Sequence, residues 1–402
     1  MPEPAAPGRS VQHPRLPRRP RAAGLPGRGA SAAVLSMAAV LSLSLSGCGA
    51  QRLEGQLYGH SVPDPRTAAP PPVPPPPPAP RLVQRGTGRT LFVAALAPLG
   101  GDGSAAAPFS SIQAAIHAAQ PGETVHVGPG IYAGTIQTER PGRAGQPIRI
   151  EGDRASLVEQ PRAGNSTDYV VVIGHDYQVF TGFDVAGGDT TLRLFHASNV
   201  LVTSNHIHHA RGECVRVKFF SSHNEISSNG VEDCGLRNFR VAADKKNGEG
   251  IYIGTAPEQV DDNPRNVADQ SNANHVHDNN VRPHAECVDV KEGARDNYVE
   301  RNTCHDTKDP EGSGFDSRGT GTIFVNNISM NNAGAGIRLG GDTAADGGDS
   351  IVRGNRLIGN AGYGVNIQAG GPQKLICGNT LENNLKGPSN AAGVDPTSPC
   401  PV

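Results

Sequence analysis

The sequence predicts an all-β chain wound as a solenoid, with a short helix closing its N-terminal end. Three observations carry that expectation. Six segments align as one column: Glu213-Cys-Val-Arg-Val-Lys218, Glu249-Gly-Ile-Tyr-Ile-Gly254, Glu286-Cys-Val-Asp-Val-Lys291, Ser313-Gly-Phe-Asp-Ser-Arg318, Ala335-Gly-Ile-Arg-Leu-Gly340 and Tyr363-Gly-Val-Asn-Ile-Gln368. Their third and fifth positions are mostly apolar and their fourth and sixth mostly polar, the alternation of a strand with one buried and one exposed face. A second column ends in asparagine, at Asn205, Asn229, Asn279, Asn302, Asn327, Asn355 and Asn379, spaced by 24, 50, 23, 25, 28 and 24 residues. Short strands and Asn/Gly turns at a fixed period of this size stack as β-coils. Upstream, Ile112, Ala115, Ile116 and Ala119 follow helical spacing.

The elements follow in chain order. Arg9 to Arg28 is rich in Arg and Pro, Ala32 to Leu45 is mostly apolar, and the run ends at Leu45-Ser46-Gly47-Cys48. A positive region, a short apolar core and small residues before a cleavage point describe a secretory signal, too short for a membrane span. The Leu-Ser-Gly-Cys end resembles the bacterial lipoprotein box, which implies that Cys48 is lipidated. Residues 1–48 are therefore expected to be a signal peptide, and residues 49–88 a linker whose Pro74 to Pro78 run is an extended spacer. Residues 89–402 form the expected solenoid domain. Ser110 or Ser111 serves as the helix N-cap, Pro121-Gly122 as its stop, and Thr124 to Val127 as the next strand. The helix would cover the apolar interior that the first coil otherwise leaves open.

This cap closely resembles the N-terminal cap of right-handed parallel β-helix proteins of the pectate-lyase-like type, and the coils downstream agree. The resemblance covers about Thr90 to Asn384 and implies that fold. Within each coil, Val, Ile and Leu point inward, small and polar residues turn the corners, and the corner asparagines bond to the next coil and tolerate left-handed backbone. The 50-residue interval from Asn229 to Asn279 is too long for one coil. Its surplus is expected to loop out at Leu236 to Gly248 and Thr255 to Ser271, walling one face.

Composition narrows the class. The chain has 402 residues, 51 glycines, no Trp and a net charge of −2, so it has no general basic field for nucleic acid. Besides Cys48 there are six cysteines, and an even set in an exported chain suggests disulfides. The repeat alignment favours Cys214 with Cys234, Cys287 with Cys304, and Cys377 with Cys400. No CxxC pair has zinc spacing. The domain is expected to be monomeric and exported, meeting a membrane only through the lipidated N-terminus at the bacterial outer membrane or cell surface, or otherwise secreted or periplasmic.

Position four of the strand column reads Arg193, Arg216, Tyr252, Asp289, Asp316, Arg338 and Asn366; position six reads Lys218, Gly254, Lys291, Arg318, Gly340 and Gln368. Strands stack about 4.8 Å apart, so Arg216 to Arg338 would form an exposed ladder ~20 Å long. Two readings remain open: paired charges on a solvated face, or a groove for an acidic polymer. A groove of this kind suits β-elimination on uronate chains. That reaction needs the substrate carboxylate neutralised and a base for the neighbouring proton. Lys291 is placed for the base and Arg318 for a carboxylate clamp or second base. Arg216, Lys218, Tyr252, Arg338 and His284 are the candidate substrate contacts. Glu286, Asp289 and Asp316 are hard-oxygen candidates for Ca²⁺.

Glu286-Cys-Val-Asp-Val-Lys291 is similar to the Glu-x4-Lys segment of the alginate and chondroitin lyases of this fold, and Asn302-Thr303 resembles their Asn-Thr turn. The resemblance implies Glu286 as a calcium ligand and Lys291 as the base. It departs at Arg318, which follows Lys291 at a longer interval; Thr307 to Gly312 reads as an insertion. Glu213 and Glu249 repeat the first position, so the Glu is either a structural corner or a ligand. The expected function is a polysaccharide lyase on an acidic, uronate-containing polysaccharide. The alternative is a non-catalytic glycan-binding or structural envelope solenoid, with epimerase and glycoside hydrolase chemistry also compatible with the fold. The Gly-His-Gly and Arg-Ile-Lys motifs of a polygalacturonase are absent, and the histidines His206, His208, His209, His275, His277 and His305 read as scattered surface residues.

Overall fold

A computed structural model of the protein describes residues 74–76, 88–158, 169–243, 245–263 and 265–401. The chain divides into two units, residues 1–62 and 63–402, and everything described belongs to the second. The expected signal peptide, Cys48 and nearly all of the expected linker lie outside the described residues.

Each coil contributes strands to parallel ladders that run the length of the domain. One is a nine-stranded sheet from Ile136–Gln137 to Val365–Ile367, every neighbour parallel and in register. The other strands form two ladders that meet at the asparagine corner; the coil strands Glu225–Ser227 and Gly230–Glu232 flank Asn229. Val215, Val217, Ile251, Ile253, Val288, Val290, Phe315, Ile337 and Leu339 point inward into one continuous core. Each such side chain stabilises the fold by about 1.5–3 kcal/mol when fully buried. This is a parallel β-helix, as the 24-residue period predicts.

The helix spans Ile112–Ala118, with Ser111 as N-cap accepting from the Ala114 N–H at 3.4 Å. Ile112, Ala115 and Ile116 are buried against the first coil, which includes Thr90–Val93 and Thr124–Val127. Gly122, at φ +88, supplies the left-handed turn after it.

The corner works differently from expectation. The column asparagines keep ordinary backbone, and the residue before each is left-handed instead: Ser204, Ser228, Asp278, Arg301, Asn326, Gly354 and Gly378. That turn frees each asparagine amide to point along the solenoid axis. Asn302 Nδ2 donates to Asn327 Oδ1 at 3.1 Å, and its own Oδ1 accepts from Asn279 Nδ2 at 2.9 Å. A similar ladder joins Asn332, Asn360 and Asn384. Buried amides satisfied on both sides explain why the corner demands this one residue type.

The first surplus segment forms a small hairpin, Phe239–Arg240 with Lys245–Lys246. The second contains a 3₁₀ turn, Pro257–Asp262. Its far end is tied down by Asp269, which accepts from the N–H groups of Phe219 and Phe220 and from the Thr255 and Ser271 hydroxyls. All three expected disulfides are present, at Cys214–Cys234, Cys287–Cys304 and Cys377–Cys400. They mark the chain as an exported protein.

Candidate functional site

The nine-stranded sheet sets the candidate site. Its register aligns Arg193, Arg216, Tyr252, Asp289, Asp316, Arg338 and Asn366 as direct neighbours, the order the sequence predicts. Their strand partners on either side point into the core, so these residues face outward on one wall.

The wall is not an exposed ladder. Asp316 is 0% exposed, Asp289 1%, Tyr252 3%, Lys291 6% and Arg338 9%. Two causes account for this. The second surplus segment covers the lower coils: Gln259 accepts from Arg216, and Tyr252 Oη accepts from the Ala256 N–H at 3.1 Å. The Thr307–Gly312 insertion covers the upper coils, where the Glu311 carbonyl accepts from Arg338 at 2.8 Å. Arg216 and Arg318 stay partly open to solvent at the edges of this cover.

Beneath that cover the charges sort into two groups. Asp316 binds Arg338 through both oxygens, at 3.0 Å to Nε and also to Nη2. Asp316 is thus turned toward Arg338 and is not among the carboxylates that converge on one point, so the structure does not group it with Glu286 and Asp289 as the sequence predicts. Its place is taken by Glu249. One oxygen from each of Glu249, Glu286 and Asp289 lies within 4.8 Å of the other two. Position one of the column is therefore more than a corner: Glu249 and Glu286 turn their carboxylates toward Asp289. The sequence signal for Glu249 was the repeat of the Glu itself.

The electrostatics of this trio are unusual. Burial pushes Glu249 up to about 8, and the neighbouring Glu213, Asp289 and Glu286 carboxylates add to it despite Lys291. Burial likewise pushes Glu286 up to about 7, against the pull of Arg338 at 3.3 Å. Asp289 Oδ1 is buried with no hydrogen-bond partner, while Oδ2 holds Lys291 Nζ at 2.5 Å. Burial opposes the Lys291 ammonium, yet Asp289, Tyr252 and Glu249 override it and hold its pKa above the ordinary lysine value. Around the trio, Tyr252 carries Arg216 and Lys291 over its ring at 4.8 and 4.7 Å. Burial raises the Tyr252 phenol to about 12, so it keeps its proton.

The remaining expected contacts are less well placed. Arg318 reaches Glu292 at 3.4 Å and Asp342 at 3.3 Å, with its Nε lacking a hydrogen-bond partner at the edge of the wall. Lys218 is buried, with its ammonium over the Phe219 ring at 4.1 Å rather than along an open groove. His284 packs edge-on to Phe239 and faces Lys308 Nζ at 2.6 Å. Burial and that lysine lower its pKa. It is thus engaged with the first surplus segment rather than with the carboxylates.

Comparison with known proteins agrees on architecture. A family model described as NosD, periplasmic copper-binding protein, matches residues 240–395, less than half of the chain. The crystal structure of an alginate lyase from Paenibacillus sp. str. FPU-7 is 23% identical, covers 75% of this chain and 99% of its own, and superposes with a TM-score of 0.60. The crystal structure of pectate lyase Pel9A is 18% identical, covers 75% of this chain and 78% of its own, and gives 0.59. None of the curated proteins matches. The likeness establishes the fold alone, a right-handed parallel β-helix.

Proposed function

We propose that the protein is a lyase that cleaves an acidic, uronate-containing polysaccharide by β-elimination, and that Glu249, Glu286 and Asp289 hold Ca²⁺. One observation carries the reading: three buried carboxylates converge beside Lys291 on the outward wall. Mutual repulsion among them is relieved either by protonation of the glutamates or by a shared cation, and Asp289 Oδ1 is buried with no hydrogen-bond partner. An all-oxygen, anionic donor set suits a hard cation. It does not suit copper, so the copper binding in the family model's description is not carried over to this wall. When bound, the ion supplies positive charge that neutralises a uronate carboxylate and eases removal of the adjacent proton.

The protein's own residues supply the rest. Arg318 and Arg216, at the open edges of the wall, pair with substrate carboxylates, and Arg338 braces Asp316 and Glu286 from behind. To act as the base, Lys291 would have to give up the proton that Asp289, Tyr252 and Glu249 hold on it, and a cation held by Glu249, Glu286 and Asp289 would favour that loss by offsetting their charge. Lys291 Nζ then takes the proton next to the uronate carboxylate. The electron pair forms a carbon–carbon double bond, the C–O bond to the glycosidic oxygen breaks, and that oxygen takes a proton from water. Both enzymes named among the neighbours, alginate lyase and pectate lyase, are uronate-polymer lyases, which supports the substrate class. An epimerase would share the first step. A hydrolase using Asp289 and Asp316 is disfavoured because Arg338 occupies Asp316. We place the protein at the cell surface, anchored through lipidated Cys48.

A second reading is a non-catalytic glycan-binding or structural solenoid. The near-complete burial of Lys291 and Asp316, each paired within the wall, favours it. A panel of uronate polymers followed by the ultraviolet absorbance of the unsaturated product separates the two. The lyase gives a rise that needs Ca²⁺ and is lost in Lys291→Ala with binding retained. Silence on every polymer, at every pH, with and without Ca²⁺, supports the binding protein.

A further inference from the structure

Away from the wall, on the asparagine-corner ladders, histidines that read as scattered in sequence are gathered by register. His206 and His208 belong to one three-residue strand, two residues apart, so their rings share a face and stack with centroids 4.2 Å apart. The coil before places Asp184 opposite His206, and the coil after places Glu232 opposite His208. His206 Nδ1 and His208 Nε2 each lie 2.9 Å from the same oxygen, Asp184 Oδ1.

We propose that Asp184, His206 and His208 form a site for a divalent transition-metal ion, separate from the carboxylate trio of the wall. Three ligand atoms, one carboxylate oxygen and two imidazole nitrogens, lie within 4.8 Å of one another. An ion about 2.0–2.2 Å from each donor fits among atoms so spaced. Nitrogen-rich ligands of this kind select borderline ions such as Zn²⁺, Ni²⁺ or Cu²⁺ over Ca²⁺.

A second, independent feature points the same way. The far nitrogen of each histidine is already held. His206 Nε2 faces Glu232 Oε1 at 2.9 Å, and Glu232 is itself fixed by Arg282 at 2.7 Å. His208 Nδ1 faces His209 Nδ1 at 2.5 Å, where the left-handed backbone of His209, at φ +60, aims its ring. Metal-bound histidines characteristically have this outer partner, which orients the ring and fixes the tautomer. The arrangement also suits the metal better than hydrogen bonds alone. Both ring nitrogens of His206 face carboxylate oxygens, so a neutral imidazole leaves one of those pairs without a proton. Strands bonded on both sides hold the donors in place without reorganisation. Side chains of His206 and Asp184 are 47% and 43% exposed, so an ion reaches the site from solvent and keeps an open coordination position.

The test uses the full chain without a polyhistidine tag, stripped of metal and titrated calorimetrically with Zn²⁺, Ni²⁺, Cu²⁺ and Ca²⁺, with Co²⁺ as a spectroscopic probe. One equivalent of Zn²⁺ and Co²⁺ is expected to bind, with a visible Co²⁺ band. His206→Ala/His208→Ala should abolish both, and Glu232→Gln should weaken Zn²⁺ binding by about 10-fold. Glu249→Gln/Glu286→Gln should leave them intact while weakening Ca²⁺. Circular dichroism confirms that each variant is folded; if the double histidine variant is not, His206→Asn alone should still weaken Zn²⁺ binding. Absence of stoichiometric Zn²⁺ binding, retention of it in the folded histidine variants, or its loss only with the glutamate variants overturns the proposal.

Discussion

Lys291 Nζ sits 2.5 Å from Asp289 Oδ2, two residues away on the same outward face, and both side chains are almost entirely removed from water. The pair is the fixed point of the wall. It keeps the lysine protonated in the metal-free protein and leaves the second oxygen of Asp289 without a partner.

Breaking that pair from one side should be costly. Lys291→Met strands the Asp289 charge in a buried position and is expected to destabilise the protein by about 3–5 kcal/mol. Asp289→Asn/Lys291→Met should recover much of the loss, because it removes both charges together. Denaturant unfolding of the two variants measures the difference; equal stability would mean that water reaches Asp289 freely.

Stability of the metal-free protein should fall as pH rises. Glu249 and Glu286 titrate near 4.5 when unfolded but are raised to about 8 and about 7 when folded. Between these limits the folded state holds protons that the unfolded state has released, so stability is full below about pH 4.5 and lost as pH climbs through 7 to 8. His277, raised by Glu225 and Asp278 against its burial, adds to the same decline. Glu249→Gln/Glu286→Gln isolates the carboxylate contribution. Thermal melts across this range should slope less steeply in the variant, and also in the parent protein with Ca²⁺.

Gly312 should resist substitution. A Cβ at this position would lie 2.6 Å from Glu286 Oε1. Gly312→Ala is expected to push the Glu286 carboxylate off its place and weaken Ca²⁺ affinity about 10-fold or more. The disulfides and the core should be untouched, so calorimetric Ca²⁺ titration should register the change while circular dichroism does not.

The asparagine ladder should be most sensitive at its centre. Asn302→Ala leaves the amides of both Asn279 and Asn327 short of a partner and removes the donor to the Val276 carbonyl. The expected loss is about 2–4 kcal/mol, more than for Asn384→Ala at the partly buried end. Comparable losses at the two positions would argue that the ladder is decoration on a fold held by its core.

Much of the fold was legible because it repeats. The period, the inward Val and Ile, the capping helix and the three cystine pairs follow from spacing, which fixes which residues become neighbours. The order Arg216, Tyr252, Asp289, Asp316, Arg338 was legible for the same reason. Exposure was not, since it depends on how far the segments after Gly254 and His305 fold back over the strands, and those segments do not repeat. The choice of Glu249 over Asp316 was hidden as well. It turns on which carboxylates reach the space beside Asp289, a matter of side-chain reach. At the other ladder, His206 and Asp184 are 22 residues apart, one coil, so that pairing was available from the period alone.

The stacked coils have a mechanical corollary. The backbone of each turn bonds to the turn before and the turn after, so strain placed on any of them is taken up mainly by two neighbours and dies out along the axis. Pulled from its C-terminal end, such a molecule would unwind turn by turn, beginning after the Cys377–Cys400 clasp, and the charged middle would be among the later regions to come undone.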